Sequence, residues 1–355
     1  MKDLVIAVTG ASGLVGSHLV DYLAAREYRV VAVVRSSTSA KEFLDRWRRL
    51  KVSLFEANVS DLPSLKQALD GVDVVVHAAG VVDPYGTRSV IFDVNVEGTG
   101  NVLAAAKAQA VKQFVYVSSL SVITGQHDQY GVGEEVPVRK CGEAYADSKV
   151  EAELLVMAES VTDQIVVTAV RPGFIYGPRE HAWLPRLIDS IASGKAALID
   201  GGTKQTNVIY VENLNRAIEA TFLNPKAYGQ VYNLTDGEVI SKKQLFDAIA
   251  DGLNLPRVKK VVPGFIARAF CQVVSEIAHY LPVEKQRALA RYSRAAFRLA
   301  GVNQGFSIAK AERDLAYLNR VPFREGMAIT LASFKSAREK TGGEKLLTST
   351  KGESG

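Results

Sequence analysis

From residue 3 to about residue 170 the chain alternates short, nearly continuous apolar runs with longer segments whose apolar residues recur every three or four positions. The runs are LVIAV (4–8), RVVAVV (29–34), VSLFEA (52–57), DVVVHAA (73–79), QFVYVSS (113–119) and QIVVTAV (164–170). Between them the spacing predicts helices over 13–26, 38–50, 96–109 and 144–160, and one opened by Ser60-Asp61-Leu62-Pro63. Strands apolar on both faces and separated by helices predict a parallel sheet covered on both sides. The expected fold class is therefore α/β, a doubly wound parallel sheet of Rossmann type with right-handed crossovers.

Beyond about residue 175 the pattern loosens. Pro and Gly recur in YGPREHAWLP and LIDGGTKQT, followed by VIYV (208–211), a helix over 212–223, VYNL (231–234) and a helix over 241–253. The expected organisation is a nucleotide-binding domain over 1–175, a smaller substrate-binding lobe over 176–335 with segments returning to the sheet, and a flexible polar tail over 336–355. Within the lobe, VVPGFIARAFCQVVSEIAHYL (261–281) has the length of a membrane span but contains Arg268, Glu276 and His279. A spanning helix would carry two charges at depth, each costing about 2.5–3.5 kcal/mol. An amphipathic helix over the substrate cleft is expected, with peripheral membrane contact as the alternative.

Composition narrows the class. With 355 residues, 47% hydrophobic and 23% charged, the chain reads as a soluble globular protein of one large or two smaller domains. Cys141 and Cys271 lie far apart and make no metal-ligand or C-x-x-C spacing, so no disulfide framework or metal site is expected, and a reducing, cytoplasmic setting is. The opening MKDLVIAVTG has an apolar run too short for a signal peptide and reads as a first strand. Net charge is +5, with basic residues scattered among helical segments and no interleaved aromatic and basic platform, so nucleic acid is not an expected partner. A mildly positive field suits an anionic cofactor.

The first strand runs into VTGASGLVGSHLV, which spaces Gly10, Gly13 and Gly16 around Ala11, Ser12, Leu14 and Val15. Glycines there let the turn tighten, let backbone approach a pyrophosphate, and let the helix pack on its strand, while the helix N-terminus offers N–H groups to phosphate. At the end of the second strand Val34 stands where an acid would bind a ribose 2′-hydroxyl, and Arg35 follows. An arginine there fits a 2′-phosphate, so NADP(H) is the expected cofactor. NAD(H) is the alternative, with Arg35 lying over the adenine. Further cofactor contacts are expected from Asn58 and Val59, from Ala78, Ala79 and Gly80, and from Pro172 and Gly173, all at strand ends. Asp61 reads as a helix cap, His77 as a buried strand histidine, and Arg179 and His181 as candidate substrate contacts.

EAYADSKVEAE (143–153) sets Tyr145 and Lys149 one helical turn apart, a spacing that fits either a proton-transfer pair or two neighbours on a helix face. Hydride transfer to a carbonyl builds negative charge on oxygen, which calls for a proton source and a second hydrogen-bond donor. A tyrosine titrates near 10 and needs a nearby cation to exchange protons at neutral pH. Lys149 supplies a cation, and a serine of QFVYVSS supplies a donor at a strand end.

TGASGLVG, DVVVHAAG, NVEGTGNVLAAA, FVYVSS, YADSK and RPGFIYGP follow one another in an order that resembles extended short-chain dehydrogenases/reductases. Through VVDPYG (81–86), NVIYVENLNRAIEA (207–220), VYNLTDGEVIS (231–241) and FSIAKAERDLAYLNRVPFREGM (306–327), the chain looks most like the 3β-hydroxysteroid dehydrogenase-like group. The resemblance implies Tyr145 as catalytic acid/base and Lys149 as the lysine that binds the nicotinamide ribose. It implies Ser119, in preference to Ser118, as the serine, and Asn95 as a support for a water relay. The implied activity interconverts a secondary alcohol and a ketone on a small hydrophobic substrate, steroid- or sterol-like or a β-hydroxy/β-keto acid. One alternative is a nucleotide-sugar epimerase or dehydratase, although Thr206 and Asn207 stand where such enzymes offer basic residues to a diphosphate. Another is a non-catalytic NADP(H)-sensing protein, although relatives of that kind commonly lose the tyrosine or lysine kept here. Family members also pair as homodimers through helices that include the catalytic one, so a homodimer is the implied assembly.

Overall fold

The computed structural model describes residues 3–82, 86–125, 127–161, 164–278, 280, 281, 285, 289 and 292–340. Its centre is a sheet of seven strands: β1 (Val5–Thr9), β2 (Arg29–Val34), β3 (Ser53–Glu56), β4 (Val74–His77), β5 (Gln113–Val117), β6 (Val166–Pro172) and β7 (Gln230–Leu234). They lie in the order β7-β6-β5-β4-β1-β2-β3, and every pair is parallel. The α/β, doubly wound sheet expected from the apolar runs is thus the fold. Strands β4 and β5 are buried along their whole length, whereas β3, at the edge, leaves Ser53, Leu54 and Glu56 exposed. One side of the sheet is sealed by Leu65, Leu69, Val102, Phe114, Ala152 and Val156.

Two helices differ from their expected form. The 38–50 segment is a 3₁₀ turn, Ser37–Ala40, and a short helix, Leu44–Arg49. The 96–109 helix begins earlier, as Arg88–Phe92, passes through a π-helical turn over Asp93–Glu97 and continues as Gly98–Ala108. The extra residue of a π turn shifts the helix face, and such turns concentrate at functional sites. At its end Gly98 is needed for space: a Cβ there would lie 2.7 Å from Val59 Cγ2.

The chain forms two compact units. The first comprises Met1–Gly173, Val211–Gly237 and Phe306–Arg320, and contains the whole seven-stranded sheet. The second comprises Phe174–Tyr210, Glu238–Gly305 and Val321–Gly355. It is built on small strand pairs, among them Phe174–Tyr176 with Val208–Tyr210, and on a ring cluster of Tyr176, Tyr210 and Phe323. Its Lys242–Gly252 helix opens on a capping box in which Ser241 and Gln244 satisfy each other's backbone N–H.

The apolar 261–281 stretch becomes a short strand, Val261–Val262, and a helix, Gly264–Ala278, with His279 outside the described residues. Among the described residues no helix is long and apolar enough to cross a membrane. The last helix, Phe323–Lys340, carries order past residue 335, where the tail was expected to begin. Residues 341–355, and residues 83–85 of the VVDPYG stretch, lie outside the described residues.

Candidate active site

Because all seven strands are parallel, their C-terminal ends share one edge of the sheet, where open α/β folds bind ligands. Every cofactor or catalytic candidate read from the first 173 residues lies on this edge or on a helix beside it. Gly10 follows β1, Arg35 follows β2, Asn58 and Val59 lie just past β3, Ala78–Gly80 follow β4, Ser119 lies just past β5, and Pro172–Gly173 close β6. The order reverses between β1 and β4, which makes that gap the switch point.

The glycine turn is shaped by absent side chains. Gly10 has φ +66°, and a Cβ on it would stand 2.6 Å from Ala79 Cα. Gly16 lets the Leu14–Ala25 helix rest on the turn, since a Cβ there would lie 2.2 Å from Gly10 O. Gly13 precedes the helix with no side-chain cap, and half-buried Ser12, Leu14 and Val15 surround it while Ala11 is buried. Backbone N–H groups at this uncapped N-terminus fit a pyrophosphate, and the small residues Ala78 and Ala79 keep the approach open. The residues present therefore fit a dinucleotide.

At the other end of the edge Arg35 is exposed directly after β2. The neighbouring strand brings an acid that local spacing did not reveal: Glu56, in register with Val34, accepts a 2.8 Å bond from Ser37 N–H. Asn58 is exposed, with Oδ1 accepting from Ser60 N–H, and Val59 is half-buried against Gly98. Asp61 stands at the cap of the Leu62–Ala68 helix, but its side chain makes no capping bond.

The tyrosine end is the opposite in kind, built from polar groups inside the protein. Tyr145 and Lys149 sit on the Ala144–Met157 helix, Tyr145 half-buried and Lys149 buried. Burial raises the Tyr145 pKa, and the nearby Ser119 side chain opposes the rise. Ser119 also accepts from Ser121 N–H at 3.1 Å. Lys149 does not turn to Tyr145. Its Nζ donates to Val117 O at 2.8 Å and to Tyr116 Oη at 3.3 Å, with the Tyr116 ring 4.8 Å away. Burial lowers the Lys149 pKa to about 8, with Glu153 opposing. A Cβ on Gly80 would lie 3.7 Å from Lys149 Nζ, so the end of β4 and the lysine are neighbours.

Asn95, within the π turn, uses both N–H donors, to Val81 O at 3.2 Å and Ser148 Oγ at 2.9 Å, while its Oδ1 accepts from Val81 N–H at 2.7 Å. It clamps the loop after β4 to the tyrosine helix, with both N–H donors committed. His77 is buried between Thr9 Oγ1 at 2.7 Å and Thr99 Oγ1 at 3.0 Å. Thr99 gives its one hydroxyl hydrogen to Asn95 O, so the network assigns the ring hydrogen to Nε2 and leaves Nδ1 accepting from Thr9. Burial, reinforced by Lys149, lowers the His77 pKa to about 3, so the ring is neutral.

Two buried residues, Glu153 and Arg171, join this end without any local signal, and with them Ser118, the serine not preferred above. Glu153, one turn beyond Lys149, accepts from Ser118 Oγ at 2.6 Å and from Arg171 Nε at 3.0 and 3.1 Å, and its carboxylate also pairs with Arg171 Nη2. Ser118 precedes Ser119, and Arg171 precedes Pro172–Gly173, whose Gly173 N–H donates to Leu234 O. One carboxylate thereby ties the tyrosine helix to the ends of β5 and β6. In the second unit, His181 is exposed with Nδ1 3.0 Å from Arg179 O.

Residues 7–251 match the model of the 3-beta hydroxysteroid dehydrogenase/isomerase family. The chain belongs to that family. Within the 3β-hydroxysteroid dehydrogenase-like extended reductases it is 28% identical over 338 residues to a 2-alkyl-3-oxoalkanoate reductase of Shewanella oneidensis, covering 92% of this chain and 85% of the other. It is 31% identical over 327 residues to the 4-hydroxy-2-methyl-3-oxo-4-farnesyl-3,4-dihydroquinoline-1-oxide ketoreductase of Stigmatella aurantiaca, covering 90% and 93%. The structure of DesIV, a dTDP-glucose 4,6-dehydratase of Streptomyces venezuelae with NAD and TYD bound, superposes with a TM-score of 0.75 at 22% identity, covering 97% and 100%. That likeness is one of fold. Family membership makes the chain an NAD(P)-dependent oxidoreductase.

Proposed function

We propose that this family member interconverts a ketone and a secondary alcohol on a substrate with a large apolar group, with Ser119, Tyr145 and Lys149 handling the substrate oxygen. The observation that carries this reading is the buried Lys149 on the Tyr145 helix, its Nζ donating to Val117 O at 2.8 Å beside the strand end that holds Ser119, at the C-terminal edge of the sheet. When bound at the glycine turn, the nicotinamide dinucleotide supplies or accepts the hydride. In reduction, Tyr145 gives its proton to the oxygen as negative charge develops there, and burial keeps that proton in place at neutral pH until it is needed. Ser119 accepts Ser121 N–H, which steadies its hydroxyl for a bond to the same oxygen. Lys149 has a further N–H for the nicotinamide ribose, and its charge favours the phenolate left on Tyr145.

The names of the two reductases describe keto groups on molecules with alkyl or farnesyl chains, which supports an apolar substrate. Thr206 and Asn207, buried before the Val208–Tyr210 strand, bring no cation to a diphosphate, which supports ketone reduction over sugar epimerisation. NADP(H) is the proposed cofactor, on the exposed Arg35 after a strand that ends in Val34.

The test is NADPH-linked reduction of 2-alkyl-3-oxoalkanoates and 3-ketosteroids, with UDP-sugars as the control. Tyr145→Phe should lower kcat by roughly 10²–10⁴-fold while cofactor affinity holds. Unchanged turnover would sink the proton-transfer role. Arg35→Ala should weaken NADPH by about tenfold or more and NADH little, as expected for a lost charge-assisted pair; equal losses would reject the cofactor choice.

A further inference from the structure

The Gly264–Ala278 helix is apolar on two faces. One is the inner face, where Ala267 and Cys271 pack with Phe297 and Val302. The other is bare: Ile266, Phe270, Val273 and Ile277, at i, i+4, i+7 and i+11, are each about half exposed, Phe265 is 77% exposed, and Tyr280 just beyond the helix is 84% exposed. Tyr292 lies edge-on to Phe270, 5.6 Å away, and extends the patch. Polar side chains are confined to a third strip, Arg268, Gln272, Ser275 and Glu276, at i, i+4, i+7 and i+8. A helix with so little polar surface needs apolar cover on both sides, and exposed patches of this kind mark interaction sites.

Charge decides between the occupants. Residues 257–298 contain nine Lys or Arg and two Asp or Glu, a net of +7, whereas the whole chain is +5, so everything outside this segment sums to −2. Lys259 and Lys260 are exposed immediately before the helix, whereas Arg294 after it is exposed but paired with Glu276. A second copy seated on this face would set one +7 segment against another. An anionic bilayer answers both features, since it takes up aliphatic and aromatic side chains at the headgroup boundary and attracts the cations around them.

We infer that this helix docks in the plane of an anionic lipid surface, with Ile266, Phe270, Val273 and Ile277 entering the headgroup region and Lys259 and Lys260 over the phosphates. The full chain is tested by co-sedimentation with vesicles of phosphatidylcholine alone and of phosphatidylcholine mixed with phosphatidylglycerol. Binding to the mixed vesicles should exceed binding to the neutral ones by roughly tenfold and weaken as salt screens the charge. Phe270→Glu with Val273→Glu should cut it by at least about tenfold, as loss of two buried apolar groups predicts, with the melting temperature near wild type because both positions are exposed. Lys259→Glu with Lys260→Glu should reduce binding only on the anionic vesicles. No partition onto mixed vesicles overturns the inference, as does equal binding by the Phe270/Val273 variant. Sedimentation showing a wild-type dimer that this variant dissolves, without vesicle binding, would assign the face to a second copy instead.

Discussion

The two ends of the candidate site, both within the first unit, solve opposite problems. At the glycine turn, room is made by leaving side chains out: Gly10 and Gly16 approach Ala79 and Gly10 O too closely for any Cβ. At the tyrosine end, buried charge is held by putting side chains in: Glu153 meets Arg171 and Ser118, and Lys149 meets Val117 O and Tyr116. The first end depends on backbone shape over a few consecutive residues. The second depends on groups far apart in sequence that compensate one another in a place water does not reach. Damage to the first should therefore appear mainly as lost cofactor affinity, and damage to the second mainly as lost stability.

The largest effect is expected at Glu153. Glu153→Ala leaves Arg171 buried with no counter-ion, and its Nη1 already has no hydrogen-bond partner. Removing one member of such a pair costs about 3–5 kcal/mol, because an uncompensated charge stays in the interior. Urea unfolding of the apo protein measures it. A loss below about 1 kcal/mol, the value of a surface pair, would show that the carboxylate does not bind the three segments together.

Gly10→Ala should reverse the balance. The added methyl meets Ala79 Cα at 2.6 Å, and φ +66° is strained for any L side chain, so the turn must open. Stability should fall by about 1–3 kcal/mol, as overpacking typically costs. NADPH affinity, measured by fluorescence titration, should fall by well over tenfold, because the phosphate-facing N–H groups move with the turn. If affinity were to hold while stability dropped, the turn would be a structural corner and the contrast between the ends would dissolve.

The same contrast explains what the sequence made legible. Gly10, Gly13 and Gly16 fall within seven residues between an apolar run and a helical pattern, so their strand-to-helix setting can be read locally. The parallel sheet follows from runs apolar on both faces. Tyr145 and Lys149 were visible as a pair, but Lys149 bonds to β5 instead of to Tyr145, because a buried ammonium must find acceptors before a ligand arrives. Glu153, Ser118 and Arg171 are separated by 18 and 35 positions, and only the register of the folded sheet brings them together. Glu56 reaches the Arg35 corner for the same reason, by strand pairing. The π turn changes the helical period by one residue, which hydrophobic spacing cannot resolve when Asn95 and Val96 are both buried.

The smallest effect is a pH dependence carried by Lys149. Burial lowers its pKa from the ordinary 10.5 to about 8. Below pH about 8 the lysine is charged in both folded and unfolded chains, so the cost of burying the charge is fully present. As pH rises above that value the folded state releases its proton while the unfolded state keeps it, so stability should increase. Tyrosines whose pKa burial raises set the upper limit: Tyr116, Tyr145 and Tyr317 hold their protons above the unfolded value of 10.0, so stability falls again once unfolded tyrosine ionises. Lys149→Met has no charge to bury, so the melting temperature of wild type relative to this variant should climb between about pH 8 and 10 and stay flat below. Ketone reduction should move the other way, declining above pH about 8 as the cation beside Tyr145 is lost. A wild-type-minus-variant difference that is level across that window would place Lys149 in contact with water, and the tyrosine end would then lose the buried cation that sets it apart from the glycine turn.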